Sequence, residues 1–173
     1  MSATTDESTA PDPVSAKAAE RRAIGVACGA HALHDGYTDL VYVMLPIWQG
    51  EFGLGFAALG LMRTVFSGTL AGFQIPASFV AERFGAATVL ALGTALAGFG
   101  YIFAGFSSGV AGLVAALFIG GLGASTQHPL ASSLIAHAFA GNRSLKALGT
   151  YNFAGDIGKM IFPAAAALMF IVL

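Results

Sequence analysis

Residues 87–106 read ATVLALGTALAGFGYIFAGF, twenty residues without a charged side chain. Coiled as a helix they rise about 30 Å, the thickness of a bilayer's hydrocarbon core. Four more apolar segments flank this one, at roughly 23–49, 57–79, 110–138 and 146–173. Turn-type clusters separate them: QGEFGLG near 50–55, AERFGAA at 81–87, GFSSG at 105–109 and AGNRSLK at 140–146. Connections this short make neighbours antiparallel. The expected fold is all-α, a polytopic transmembrane helix bundle of about five spans.

The whole chain agrees with its segments. It is 56% hydrophobic and 10% charged, with mean hydropathy +0.75, far from an ordinary globular composition. A net charge of −1 offers no basic patch, so nucleic acid is not an expected partner. The single cysteine, Cys28, excludes an intrachain disulfide framework and lies in an apolar run, where it packs as a small residue. Residues 1–22 are polar and rich in Pro, Ser and Thr, and are expected to form a disordered cytosolic tail ahead of a transmembrane domain at 23–173. Lys17, Arg21, Arg22, Arg83, Arg143 and Lys146 then share the side of that tail, while the loops near 50–55 and 105–109 carry no Lys or Arg. The asymmetry predicts a multi-pass protein of the cell inner (plasma) membrane with its N terminus in the cytosol. GGLGAS at 120–125 superficially matches a dinucleotide loop, but no strand precedes it and its spacing is wrong, so no cofactor is expected.

Polar residues inside apolar spans need a reason to be there. In HALHDGYTD, His31, Asp35 and Asp39 recur at i, i+4 and i+8, and His34 adjoins Asp35, so the polarity forms a stripe that faces protein or water. Counted at about 1.5 Å per residue, His34, Asp35, His128 and Asp156 reach similar mid-membrane depth. Asp39 and Arg63 also match in depth on adjacent helices and are expected to form a buried ion pair. Asp156 and Lys159 lie three residues apart on one helical face and form a second. Such pairs serve packing or chemistry alike. Gly149, Gly155, Gly158 and Pro163 would make the last helix bendable or closely packed. His128, between Gln127 and Pro129, is expected to line a cavity, and His137 to lie at the interface. His31 with His34 or Asp35 has the ligand types for zinc or non-haem iron. The ligand count is low, so neither a metal site nor an enzyme is expected.

The order HALHDGYTDLVYVMLPIWQGEFGL, FQIPASFVAERFG, GLGASTQHPLASSLIAHAF and GTYNFAGDIGKMIFP resembles the N-terminal half of a major facilitator superfamily transporter, most like the fosmidomycin-resistance-type drug efflux group. The likeness runs from about residue 24 to the end. In the superfamily's loop between spans two and three, Glu82 stands for the usual Asp, and Arg83 and Gly85 match. Ser78 replaces the first Gly, and Ala86 and Ala87 replace trailing basic residues. The fifth span has Phe162-Pro163 where Gly-Pro is usual, with Asp156 and Lys159 at positions that are normally small or uncharged.

The resemblance implies a proton-coupled secondary transporter for a small organic solute or drug, of which this chain is an N-terminal fragment lacking the C-terminal helices. Asp35, assisted by His31 and His34, is then the leading proton carrier, because imidazole beside a carboxylate can stabilise or relay its charge. Gln127, His128, Tyr151 and Asn152 would line the solute path, and Asp156 with Lys159 would switch pairing between conformations. The loop at Glu82, Arg83 and Gly85 would latch the cytosolic side. The alternative is a non-transporting membrane scaffold or subunit, or the product of a truncated gene.

Overall fold

The computed structural model describes residues 13–139 and 141–172, and among these it contains helices and no strand. The helices are α1 (Pro13–Thr38), α2 (Leu40–Phe52), α3 (Phe56–Gly72), α4 (Gln74–Phe84), α5 (Ala86–Gly105), α6 (Val110–Ala124), α7 (Gln127–Ala138) and α8 (Asn142–Val172). The chain is therefore all-α, as its apolar periods require. Residues 1–12 of the expected tail lie outside the described residues. Residues 13–22 of that tail are instead the first turns of α1. Proline is pre-organised for the first helical position, and the AKAAERR that follows is made of strong helix formers, which outweighs the polarity of the stretch.

Three helical runs are long and apolar enough to cross a membrane: α5, α6 continued through α7, and α8. A fourth forms if α3 and α4, bent by 42° at their junction, act as one span. The α1–α2 run covers the expected first span but does not meet that criterion: α1 carries the HALHD polarity, and α2 has only 13 residues. Two of the breaks lie four residues ahead of a proline, whereas Pro46 and Pro163 sit inside continuous helices. Proline lacks an N–H and crowds the carbonyl four residues earlier. Pro76 so disturbs Gly72, where α3 ends, and Pro129 disturbs Ser125, where α6 gives way to α7. At the second break, the Ser125 hydroxyl donates to the Leu122 carbonyl at 2.7 Å and that of Thr126 to the Gly123 carbonyl at 3.0 Å. Hydroxyls thus engage carbonyls where the helical ladder is interrupted.

α1 packs along α8, α5 along α6, and α3 along α6. Glu20 meets Arg143, His31 meets Tyr151, and Asp35 meets Lys159, so α1 and α8 run in the same direction. α5 and α6 run antiparallel, and they touch at glycine: a Cβ on Gly100 would lie 2.6 Å from the Gly120 Cα. Small residues let apolar helices gain dispersion contacts where lipid removes the usual hydrophobic drive. Val41, Trp48, Met62, Phe66, Leu113 and Leu117 fill the largest buried cluster. The outer surface is inverted relative to a water-soluble protein. Phe99, Ile102, Phe103, Met160 and Ile161 are exposed, while His31, His34, Asp35 and Gln127 are buried.

Candidate functional site

The buried polarity converges where α1, α7 and α8 meet. His31 and Asp35 stand one turn apart on α1, each 2% exposed, and the imidazole Nε2 lies 3.2 Å from Asp35 Oδ2. His31 Nδ1 donates to the Tyr151 carbonyl at 2.9 Å. A carbonyl only accepts, so that bond puts the ring hydrogen on Nδ1. The imidazole also lies flat on the Tyr151 ring, with centroids 3.8 Å apart and planes 5° from parallel. From α8 the Lys159 ammonium reaches Asp35 Oδ2 at 3.1 Å and Asp156 Oδ1 at 3.5 Å. From α7, half-exposed His128 brings Nε2 to 3.9 Å from Asp35 Oδ1.

Room for this cluster comes from Gly155. A Cβ there would lie 2.6 Å from Asp35 Oδ2 and 2.7 Å from His31 Cε1. Gln127 Nε2 donates to the Tyr151 hydroxyl at 3.4 Å, which ties α7 to α8 behind the stacked rings. His34 turns away from this centre. Its Nδ1 shares a 2.8 Å hydrogen bond with the Tyr37 hydroxyl, and the Tyr37 ring meets Tyr101, whose hydroxyl donates to the Thr38 carbonyl at 3.0 Å. His31 Nε2, His34 Nε2 and Asp35 Oδ2 are buried without a hydrogen-bond partner. The Lys159 ammonium and His31 Nε2 both come close to Asp35 Oδ2, and neither contact has hydrogen-bonding geometry.

The residues singled out by spacing are therefore distributed unequally. His31, Asp35, His128, Gln127, Tyr151 and Lys159 come together, whereas Asn152 is exposed on the far side of α8. Asp156 contacts Lys159, but its side chain is 70% exposed, so the expected buried pair lies at the surface of the described chain. Asp39 and Arg63 are not an ion pair among the described residues. Arg63 is exposed and lies over the Tyr42 ring, 4.5 Å from its centroid. The expected pair needs the two side chains on facing sides of their helices, and Arg63 faces Tyr42 instead. The aromatic face of Tyr42, nearly one turn beyond Asp39, offers the guanidinium a partner nearer its own side. Glu82 and Arg83 are exposed at the end of α4. Gly85 follows at φ +89°, a left-handed conformation suited to glycine, and its N–H closes the helix on the Ala81 carbonyl at 2.8 Å. His137 is exposed and donates from Nδ1 to the Ser133 carbonyl at 2.7 Å.

Spacing alone missed the Lys159–Asp35 contact and the Tyr37–Tyr101 layer. For the layer, the available signal was Tyr37 at i+3 from His34, a spacing that puts both on one helical face. The contact needs the relative rotation of α1 and α8, which no single helix encodes.

The profile of the Major Facilitator Superfamily matches residues 27–173. The fosmidomycin resistance protein of Escherichia coli (strain K12) is 25% identical over 167 residues, an alignment covering 92% of this chain and 41% of that protein. The chain thus spans about two fifths of the length of that curated relative. No solved structure matches it significantly. A match over most of the chain, on a helical fold with polar residues buried between apolar helices, decides the family: the chain belongs to the Major Facilitator Superfamily.

Proposed function

We propose that this chain is the N-terminal part of a proton-coupled secondary transporter for a small organic solute, set in the cell inner membrane with its N terminus in the cytosol. The observation that carries the reading is Asp35, a carboxylate 2% exposed between two imidazoles and an ammonium. An intramembrane carboxylate kept at such cost is a functional group by default. Lys159 lies within ionic reach of both Asp35 and Asp156. While the ammonium is on Asp35 the carboxylate is held ionised. When it moves to Asp156, Asp35 loses its counter-charge and takes a proton. His31 and His128 lie on either side as relays. Gln127, His128 and Tyr151 border the solute path, and Glu82 and Arg83 latch the cytosolic side around the Gly85 turn. The missing C-terminal helices would complete the central cavity.

The test is uptake into proteoliposomes made with the intact transporter, using fosmidomycin, the compound in the relative's name, as the probe. Wild type should accumulate it under a pH gradient and also exchange it in counterflow. Asp35→Asn should lose gradient-driven accumulation and keep counterflow, because the amide is nearly isosteric with the protonated acid and carries no exchangeable charge. Undiminished gradient-driven uptake in Asp35→Asn removes Asp35 from coupling. Absence of any gradient-driven uptake by wild type withdraws the transport reading for this solute.

A further inference from the structure

Asp35 has more lone pairs than its neighbours use. Nδ1 of His31 is committed to the Tyr151 carbonyl, so in the neutral ring Nε2 presents a lone pair 3.2 Å from Asp35 Oδ2, and no hydrogen bond joins the two atoms. Two acceptors that close, buried, and not aimed at each other are arranged as ligands of one cation are. His128 Nε2 approaches the other carboxylate oxygen at 3.9 Å, and donor atoms of His31, Asp35 and His128 all lie within 4.8 Å of one another. Zinc bonds of about 2.0–2.2 Å in a tetrahedron place ligand atoms about 3.3 Å apart. His31 and Asp35 already have that separation, and His128, half-exposed on α7, would close the rest from 3.9 Å. The His31 hydrogen bond to a backbone carbonyl is also the outer contact that fixes the tautomer of a metal-binding imidazole. Local spacing on α1 left the ligand count short, and the fold supplies the third ligand from α7.

We propose that His31, Asp35 and His128 form a reversible binding site for a divalent transition-metal cation of the zinc class, which displaces the Lys159 ammonium from the Asp35 carboxylate. Imidazole with carboxylate selects such an ion over magnesium, which prefers an all-oxygen shell. Three protein ligands leave the fourth position to water. The ammonium is the built-in competitor: it contacts the same Oδ2, and its side chain, 39% exposed, can withdraw toward Asp156. A bound cation would hold Asp35 out of the proton cycle proposed above, and in that clause alone the inference rests on the functional reading.

The measurement is zinc titration of the purified full chain in detergent micelles against a chromogenic chelator, with magnesium as the control ion. One zinc per chain should bind saturably. Asp35→Asn and His128→Ala should each weaken binding by at least about tenfold. Lys159→Gln should strengthen it severalfold, a gain that misfolding cannot produce. His137→Ala, which removes the exposed histidine, should change nothing. Equal binding by His128→Ala, unchanged or weaker binding by Lys159→Gln, or loss in His137→Ala (an adventitious ion only) each overturns the site. Zinc affinity is read without transport. A site that passes while Asp35→Asn keeps gradient-driven uptake leaves the metal inference standing and the proton role fallen, and the reverse pair of results separates them the other way.

Discussion

Gly155 shows how much a single missing carbon decides. Its hydrogen faces Asp35 and His31 at distances that no Cβ tolerates, whereas Gly149, on the exposed side of the same helix, has nothing within 4 Å of a built Cβ. Gly155→Ala is therefore expected to cost about 1–3 kcal/mol, the usual range for overpacking. Gly149→Ala should be neutral or gain up to about 1 kcal/mol from helix propensity. Thermal unfolding of both variants in detergent checks the contrast, and equal melting temperatures would mean that α8 does not press on the cluster. At this scale the sequence was legible in kind and not in partner. The stripe on α1 announced buried polarity, and the i, i+4 spacing put His31 and Asp35 on one face. Arg63 was read by depth and turned to Tyr42 instead of Asp39, because depth is a property of one helix and azimuth a property of two.

Among the elements, the bent α3–α4 pair isolates the effect of proline. Pro76 crowds the carbonyl of Gly72, where the 42° bend begins, so Pro76→Ala should restore the ladder and straighten the span. With arms of 17 and 11 residues at about 1.5 Å per residue, the end-to-end distance grows by about 3 Å. Spin labels at the exposed positions Phe56 and Phe84 would report that lengthening by pulsed dipolar spectroscopy. An unchanged distance would assign the bend to packing rather than to proline. The apolar runs were readable because bilayer thickness and helical rise set their length together. The interruption at Phe73 was not, since hydrophobicity continues through it and Pro76 stands three residues downstream, and at Ser125 the polar STQH suggests site residues rather than a break. The start of α1 was misread for the opposite reason: AKAAERR is polar in composition yet strongly helical in propensity.

At the scale of the whole molecule, α1 and α8 begin at the same end, where Glu20 and Arg143 meet at 2.9 Å. Arg22, Ala87 and Phe139 line one groove, which brings the start of α5 and the end of α7 to that end as well. If this end is cytosolic, a cysteine at Ser108 should react with an impermeant thiol reagent in intact cells, and one at Ser144 should not, both in a background lacking Cys28. Labelling at Ser144 alone would invert the topology. The clustering of basic side chains has an electrical consequence too. The far-end loops near 50–55 and 105–109 carry Glu51 and no Lys or Arg, so the basic side chains gather at the opposite end. Each elementary charge carried across a membrane exchanges roughly 2.3 kcal/mol per 100 mV with the potential. With that end in the cytosol, Arg22 and Lys146, basic side chains beyond the Glu20–Arg143 pair and the adjoining Glu82 and Arg83, would be held there by a voltage that is negative inside, and an inserted chain would resist turning over.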